Sequence, residues 1–224
     1  MNEPRLAELT MPGLHDFVVE QVLSRFGNPG GRAIDLGAGT GALAVRMQGL
    51  GWDVMAADRN ASEFKAPLRF QIVDLSDPAF SEQLGEGQFS LVTAVEVIEH
   101  VESPIGFLRN ARRLLKPKGR IVVTTPNLDS VPARVKFLLS GKIRMMDEAG
   151  EPTHISPLFW DLLNRQVLPL AGLRMQEHYL YPADGYLATR PRYSWIMRGL
   201  SGFLGGECKF GDAHVMVLQR KDEQ

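Results

Sequence analysis

The chain has 224 residues, 44% hydrophobic and 23% charged, with a formal net charge of −1. That is room for one α/β domain with a substantial core and too little for two large ones, and the near-neutral balance gives no basic field to hold nucleic acid. One cysteine, Cys208, excludes an internal disulfide framework; with no apolar core in Met1-Asn2-Glu3-Pro4-Arg5 and no run of membrane-spanning length, a cytoplasmic globular enzyme without a transmembrane segment is expected.

Residues 1–13 read as irregular, closed by Met11-Pro12-Gly13. Leu14, Phe17, Val18, Val22 and Phe26 then recur with the period of an amphipathic helix over 14–26. His15 opens that helix; a lone histidine in such a place is by default a surface residue, though it can face a pocket. Asn28-Pro29-Gly30-Gly31 breaks the chain. Residues 32–36 are a short buried strand, the glycines after it a sharp turn, and 42–50 a helix. A strand that turns into a helix on glycine opens a crevice for a nucleotide-like ligand. A second strand over 52–57 ends at Asp58, about 20 residues beyond the first glycine, where a carboxylate can take both hydroxyls of a ribose.

Residues 68–73 form a third strand running into Asp74-Leu75-Ser76-Asp77-Pro78, followed by a helix to Leu84, which Asp74 or Ser76 can cap. The apolar run 89–95 is the fourth strand, expected to be central. After Glu96-Val97-Ile98-Glu99-His100-Val101, Ser103 caps a helix with Pro104 at its first position, running through Leu115. Lys116-Pro117-Lys118-Gly119 stops it, and 120–125 is the fifth strand. Alternating strands and helices mean a parallel sheet covered on both faces. Beyond Pro126-Asn127 we expect a short helix over 131–139, a polar loop over 141–153, a helix from Ser156-Pro157 to about Val167, and two closing strands over 173–181 and 213–220. Between those strands lies an insert in which Tyr193, Ile196, Met197, Leu200 and Leu204 keep helical spacing.

Asp35-Leu36-Gly37-Ala38-Gly39-Thr40-Gly41 has the spacing G-x-G-x-G, with Ala42 where a dinucleotide enzyme usually carries its third glycine. The stretch resembles the class I S-adenosylmethionine (SAM)-dependent methyltransferases, whose first motif is D/E-x-G-x-G-x-G; the resemblance covers 30–127 well and the rest loosely. It implies a Rossmann-like α/β fold, a seven-stranded mostly parallel sheet with helices on both faces and an antiparallel closing hairpin. It implies SAM as cofactor, with Gly37, Ala38, Gly39 and Gly41 against the methionine part and Asp35 nearby. Asp58 and Arg59 then belong at the ribose, Asp74 at the adenine amino group, the Leu75 amide at the ring, and Glu96 completes the set. One domain over 1–224 is expected, with an N-terminal helical lid (1–27) and substrate-side inserts (128–155 and 182–210).

Methyl transfer from SAM is an in-line displacement at an activated sulfonium, so the protein aligns the nucleophile and, where needed, removes its proton. Candidates lie where the fourth and fifth strands end: Glu96, Glu99, His100, Asn127 and His154, with Glu99 and His100 as the catalytic pair. Glu96, Glu99 and His100 share a face if that segment winds into a helical turn. E-x-x-E-H with a later histidine resembles the ubiquinone-biosynthesis O-methyltransferases and the enzymes that 2′-O-methylate the 3′ ends of small RNAs. The latter imply a magnesium site, carried over as Glu96, Glu99, His100 and His154, for Mg²⁺ or Mn²⁺. Against a metal, E-V-x-E-H-V also resembles metal-free methyltransferases, in which Glu99 and His100 organise the loop or His100 acts as base.

The acceptor is expected to be a small-molecule, lipid-linked or glycan hydroxyl. Arg134, Lys136, Lys142 and Arg144, then Arg190, Arg192 and Arg198, flank short amphipathic helices that can contact a membrane surface. The simpler expectation is that Trp195, Ile196, Met197 and Phe203 cover the core or a homodimer interface. Other readings are a metal-assisted RNA 2′-O-methyltransferase, a catalytically silent SAM-binding partner subunit and an NAD oxidoreductase.

Overall fold

Four short segments build the parallel core of the sheet. They are β1 (Arg32–Leu36), β2 (Asp53–Asp58), β3 (Arg69–Ile72) and β4 (Phe89–Ala94). β5 (Leu115–Pro126) continues the parallel set, and β6 (Leu173–Tyr181) and β7 (Ala213–Arg220) close it, in the order β3-β2-β1-β4-β5-β7-β6. β7 runs antiparallel to both β5 and β6, so the expected closing hairpin is present. The structure, a computed structural model, describes residues 6–27, 30–147, 153–202 and 206–222. The Asn28-Pro29 break, part of the 141–153 loop, and Phe203 and Leu204 of the insert lie outside the described residues.

Helices cover both faces because the strands carry apolar side chains on both. On one face α1 (residues 14–26) sets Leu14, Val18 and Val22 against Ala33, Val54, Leu91, Val122 and Val217, with α2 (Ala42–Gly49) beside it. On the other, α3 (Phe80–Leu84), α4 (Pro104–Leu114) and α6 (residues 160–170) bury Phe80, Phe107, Leu108, Leu163 and Leu168 over Ile34, Val92, Ile121 and Met216. α5 (Val131–Ser140) and α7 (Pro191–Leu200) lie beyond the sheet.

Three boundaries differ from expectation, each for a physical reason. α1 is not uniformly α: Leu14–Phe17 is α-helical, Val18–Val22 π-helical and Leu23–Phe26 a 3₁₀ turn. Its buried residues Leu14, Val18 and Val22 recur every four positions, and a wider turn keeps that spacing on one line where 3.6 residues per turn would drift off it. α4 ends at Leu114, and Lys116-Pro117-Lys118-Gly119 lies inside a longer β5, because Leu115 pairs with Phe89 across a register shift that Lys118 absorbs at φ 61°. The helix expected from Ser156 begins at Trp160. Ser156 Oγ donates to Val101 O (2.6 Å), and the amides of Ile155 and Ser156 donate to Glu99 O (2.9 and 3.0 Å). Those groups are committed to a tertiary contact, and Asp129 Oδ2 accepts the Trp160 amide in place of a local cap (2.7 Å).

The insert between β6 and β7 is pinned by a buried ion pair. Asp212, fully buried, meets Arg144 at 2.8 Å and accepts the amides of Leu187 and Ala188 (2.5 and 2.8 Å). Arg144 is therefore no part of a basic flank. Asn127 is likewise structural: its Nδ2 donates to the carbonyls of Cys208, Phe210 and Gly211, and its backbone amide donates to Asp212 O. Trp195 and Leu138 are 70% and 83% exposed, so the outer faces of α5 and α7 do not cover the core.

Candidate active site

The carboxyl ends of β1 to β5 open into a cavity of about 820 Å³, the place where an open α/β sheet receives its ligand. The turn after β1 forms one wall. Gly37 sits at φ 69°, and a Cβ there would lie 2.5 Å from Val97 Cγ2; Gly41 sits at φ 87°, its would-be Cβ 2.5 Å from that of Ala66. Only glycine meets both demands. Gly37, Ala38 and Gly39 line the cavity, while Gly41 stands behind them and packs against Ala66 and Phe64.

Asp58, at the end of β2, holds this loop in place. Its Oδ2 accepts the Gly39 amide and its Oδ1 the Asn60 amide, both at 2.9 Å, and each oxygen keeps a lone pair for a ligand hydroxyl. Arg59, Asp74 and Leu75 line the same cavity. Asp74 Oδ1 accepts the Ser76 amide (2.9 Å), and neither residue caps α3; Asp77 Oδ1 instead accepts the Ala79 amide one turn later (2.8 Å). Leu9, Thr10 and Met11 close over the glycines: Thr40 Oγ1 donates to Ala7 O (2.6 Å) and Arg46 pairs with Glu8. His15, expected on the surface, is 7% exposed and lines the cavity 4.0 Å from Glu8, because the 6–13 segment folds back over it.

Two carboxyls on the cavity wall are held toward their neutral form. Burial, against a hydrogen bond from Thr93 Oγ1 (2.7 Å) and with the charge of Asp58 adding, pushes Asp35 from 3.8 up to about 7. Burial likewise lifts Glu96 to about 7, partly offset by Thr124. Glu96 takes a left-handed conformation (φ 56°), its amide donating to Thr124 Oγ1 while that hydroxyl donates to Glu96 Oε1 (2.8 and 3.0 Å). A non-glycine residue held there at a strand end is strained backbone that its Thr124 hydrogen bonds keep in place.

A raised carboxyl pKa favours the fold at low pH, and the benefit disappears as pH rises through about 7. Asp35→Asn removes the charge and keeps an acceptor for Thr93. Its stability gain over wild type is expected to be negligible below pH 4 and to reach about 4 kcal/mol above pH 7. Denaturant melts at several pH values check this; a gain that does not grow with pH would count against a buried charge at Asp35.

At the far end of the cavity, residues distant in sequence converge. Glu99 is fully buried behind the lining, with neither carboxyl oxygen hydrogen-bonded to a described residue. Burial and the charge of Glu96 raise its pKa well above the carboxylate range, with its own amide and Thr125 offsetting part of the shift. His100 and His154 line the cavity, ring centroids 4.6 Å apart. His100 Nδ1 lies 3.2 Å from Thr153 O and His154 Nδ1 2.8 Å from Met145 O, so each ring carries a proton on Nδ1 toward its carbonyl. His154 Nε2 is 3.9 Å from Glu99 Oε1, and one donor atom from each of Glu99, His100 and His154 falls within 4.8 Å of the others. Glu96, engaged with Thr124, is outside this cluster.

A family model described as a methyltransferase domain matches residues 14–177, spanning the glycine turn, Asp58 and the Glu99–His154 cluster. The chain belongs to this methyltransferase domain family. Curated relatives of the methyltransferase domain include a ubiquinone biosynthesis O-methyltransferase of Caulobacter vibrioides, 40% identical over 126 residues, half of each chain. Another of the same name, from Xanthomonas campestris pv. campestris, is 30% identical over 179 residues, covering 75% of this chain and 71% of the relative. The chain spans about half the length of the Caulobacter relatives it matches. Among solved structures, a SAM-dependent methyltransferase from Archaeoglobus fulgidus superposes with a TM-score of 0.61 at 16% identity, covering 92% of this chain and 94% of its own; at that identity the likeness is one of fold. No helix among the described residues is long and apolar enough to cross a membrane.

The sequence expected an N-terminal lid over 1–27 but left His15 on the surface by default and residues 6–13 unplaced; the structure puts Leu9, Thr10, Met11 and His15 in the cavity wall. Nothing in residues 6–13 has a periodicity to read, and the segment finds its place through tertiary contacts such as Thr40, Arg46 and, at Pro12 O, the Tyr181 hydroxyl (2.6 Å).

Proposed function

We propose that this methyltransferase domain binds SAM and transfers its methyl group to a hydroxyl oxygen. The observation that carries the reading is one cavity with two chemically different ends. The glycine turn, Asp58, Asp74 and Leu75 suit an adenosyl and amino-acid ligand, and the Glu99–His100–His154 cluster suits an acidic acceptor hydroxyl. SAM fits the first end through Asp58's remaining lone pairs on the ribose diol and the closely approachable backbone at Gly37–Gly39.

In the step itself the acceptor oxygen attacks the methyl carbon opposite the sulfonium. The carbon–sulfur bond breaks with its electron pair going to sulfur, and S-adenosylhomocysteine leaves. His100 Nε2, with Nδ1 committed to Thr153 O, takes the acceptor's proton. Glu99 does not reach the cavity surface and packs from behind, its Oε1 3.9 Å from His154 Nε2.

The same cluster fits a divalent cation. Glu99 offers a buried carboxyl beside His154 that would lose its proton on binding the ion, and both histidines are oriented by Nδ1–H to a backbone carbonyl, the support that metal-bound imidazoles use. Glu99, His100 and His154 would hold Mg²⁺ or Mn²⁺ without Glu96, and the ion would lower the pKa of the acceptor hydroxyl. Calorimetry of metal-stripped protein is expected to show binding of S-adenosylhomocysteine and none of NAD, with Mn²⁺ uptake lost in His154→Ala. Absence of S-adenosylhomocysteine binding would overturn the cofactor reading, and metal-indifferent transfer would leave His100 as the base alone.

A lipid-linked acceptor at a membrane surface is supported by the packed pair α5 and α7, which present Phe137, Leu138 and Leu139 beside Tyr193, Trp195 and Leu200, all exposed. A hydroxylated phenol carrying an aliphatic tail, offered in vesicles, is expected to have at least a tenfold higher kcat/KM than the same phenol without the tail. Leu138→Glu should erase the difference while leaving turnover of the tail-free phenol unchanged. Equal rates on both in the wild type would remove the lipid from the proposal.

A further inference from the structure

A second cluster of donor atoms lies outside the cavity, under the insert, where the methyl-transfer reading gives it no role. His178 on β6 and His214 on β7 are diagonal neighbours on the same sheet face: Leu180 stands opposite His214, and His178 opposite Met216. Their rings meet with His178 Nε2 3.0 Å from His214 Nδ1. Cys208, on the return of the insert, brings its sulfur to the same point, and one donor atom from each residue lies within 4.8 Å of the other two. His214 and Cys208 are buried and His178 is half-buried.

The surroundings are built rather than incidental. The Trp160 indole stacks on His178 at 3.9 Å and runs nearly parallel to His214 at 5.1 Å, fixing both ring planes. Trp160 Nε1 in turn donates to Glu207, next to Cys208 in the chain (3.1 Å). Asn127 Nδ2 holds the Cys208 carbonyl (3.1 Å), so the sulfur is positioned by backbone on one side and by the sheet on the other. As a plain hydrogen-bonded pair these rings leave His214 Nε2 buried without a partner, a cost that packing alone does not explain.

The geometry points to a structural metal site for a borderline-soft divalent cation of the Zn²⁺ class, held by His178, His214 and the Cys208 thiolate. Two imidazoles and one thiolate are a donor set that such ions prefer and that Mg²⁺ does not. The thiolate cancels one of the ion's two charges, and the Glu207 carboxylate, held by Trp160 Nε1 next to Cys208 in the chain, helps balance the other. The thiol proton is released to solvent on binding. Such an ion would staple β6, β7 and the insert together just beyond Pro126, which lines the cavity wall. It would act on the substrate side without touching substrate, and it is independent of any ion at Glu99.

Cobalt(II) titration of the intact, metal-stripped chain under anaerobic conditions tests this. Cys208 is the one cysteine in the sequence and the Glu99 cluster contains no sulfur, so a thiolate-to-cobalt charge-transfer band can arise only here. We expect that band, with the visible absorption of tetrahedral cobalt, to saturate at one equivalent and to be displaced by Zn²⁺. Cys208→Ser should lose the band entirely, and His178→Ala and His214→Ala should each weaken cobalt binding at least tenfold. S-adenosylhomocysteine binding by each variant reports that it is folded, and the wild-type spectrum decides the matter even if a variant is not. No band at one equivalent, or a band indifferent to both histidine substitutions, would overturn the site and leave an aromatic stack in the core.

Discussion

Asp58→Ala is expected to weaken S-adenosylhomocysteine binding at least 100-fold, the largest single effect on the cofactor. One carboxylate serves two tasks: it accepts the Gly39 and Asn60 amides at 2.9 Å each, and its remaining lone pairs face the cavity. Charge-assisted hydrogen bonds are worth about 1.5–3 kcal/mol each, so losing two to a ribose already reaches about 3 kcal/mol before the loop relaxes. Asp58→Asn separates the tasks: its carbonyl still takes one amide, while the charge and one acceptor are gone, so an intermediate loss is expected. Calorimetry measures both, with thermal melts confirming the fold. Wild-type affinity in the alanine variant would show that the ribose is held elsewhere.

His100→Ala is expected to lower kcat by about 10²-fold or more while cofactor affinity stays as in wild type. His100 lines the cavity, and its Nδ1 is committed to Thr153 O, so Nε2 is the nitrogen presented to an acceptor. It makes no part of the glycine turn or of the Asp58 contacts, which is why the two measurements should separate. Single-turnover methyl transfer with saturating SAM reads the first, and calorimetry the second. A rate near that of wild type would remove His100 from the chemistry.

The half of the chain that holds the glycine turn was legible because its signals are local. Gly37, Gly39 and Gly41 all have positive φ, and the ends of β2 and β4 fall at Asp58 and just before Glu96. The second half was legible in its strands but not in its loops. Glu96, Glu99 and His100 look equivalent when spaced along a helical turn, yet Glu96 is bent aside to Thr124, and the turn proper, Ile98–His100, is a short 3₁₀ segment. His154, which the resemblance had grouped with Glu99 and His100, stands beside them because the amides of Ile155 and Ser156 dock on Glu99 O, a backbone contact that no side-chain spacing reveals. Asn127 looked functional for its place at a strand end and turned out to spend its amide on the backbone of the insert. Strand-end position gives proximity to a ligand; only the side chain's own partners say whether anything is left to offer it.

The buried pairing of Arg144 with Asp212 bears on any exchange of the segment between β6 and β7 among relatives. The two residues stand on different segments, one before α6 and one at the start of β7, and Asp212 also anchors the amides of Leu187 and Ala188. A graft whose cut sites fall at 182 and 210 would carry the anchored amides in and leave both charges behind. A graft that replaces one charge alone strands its partner in the interior, which costs several kcal/mol. The unit of exchange is therefore set by charge rather than by loop boundaries: Arg144, Asp212 and the chain around residues 187 and 188 travel together or stay together.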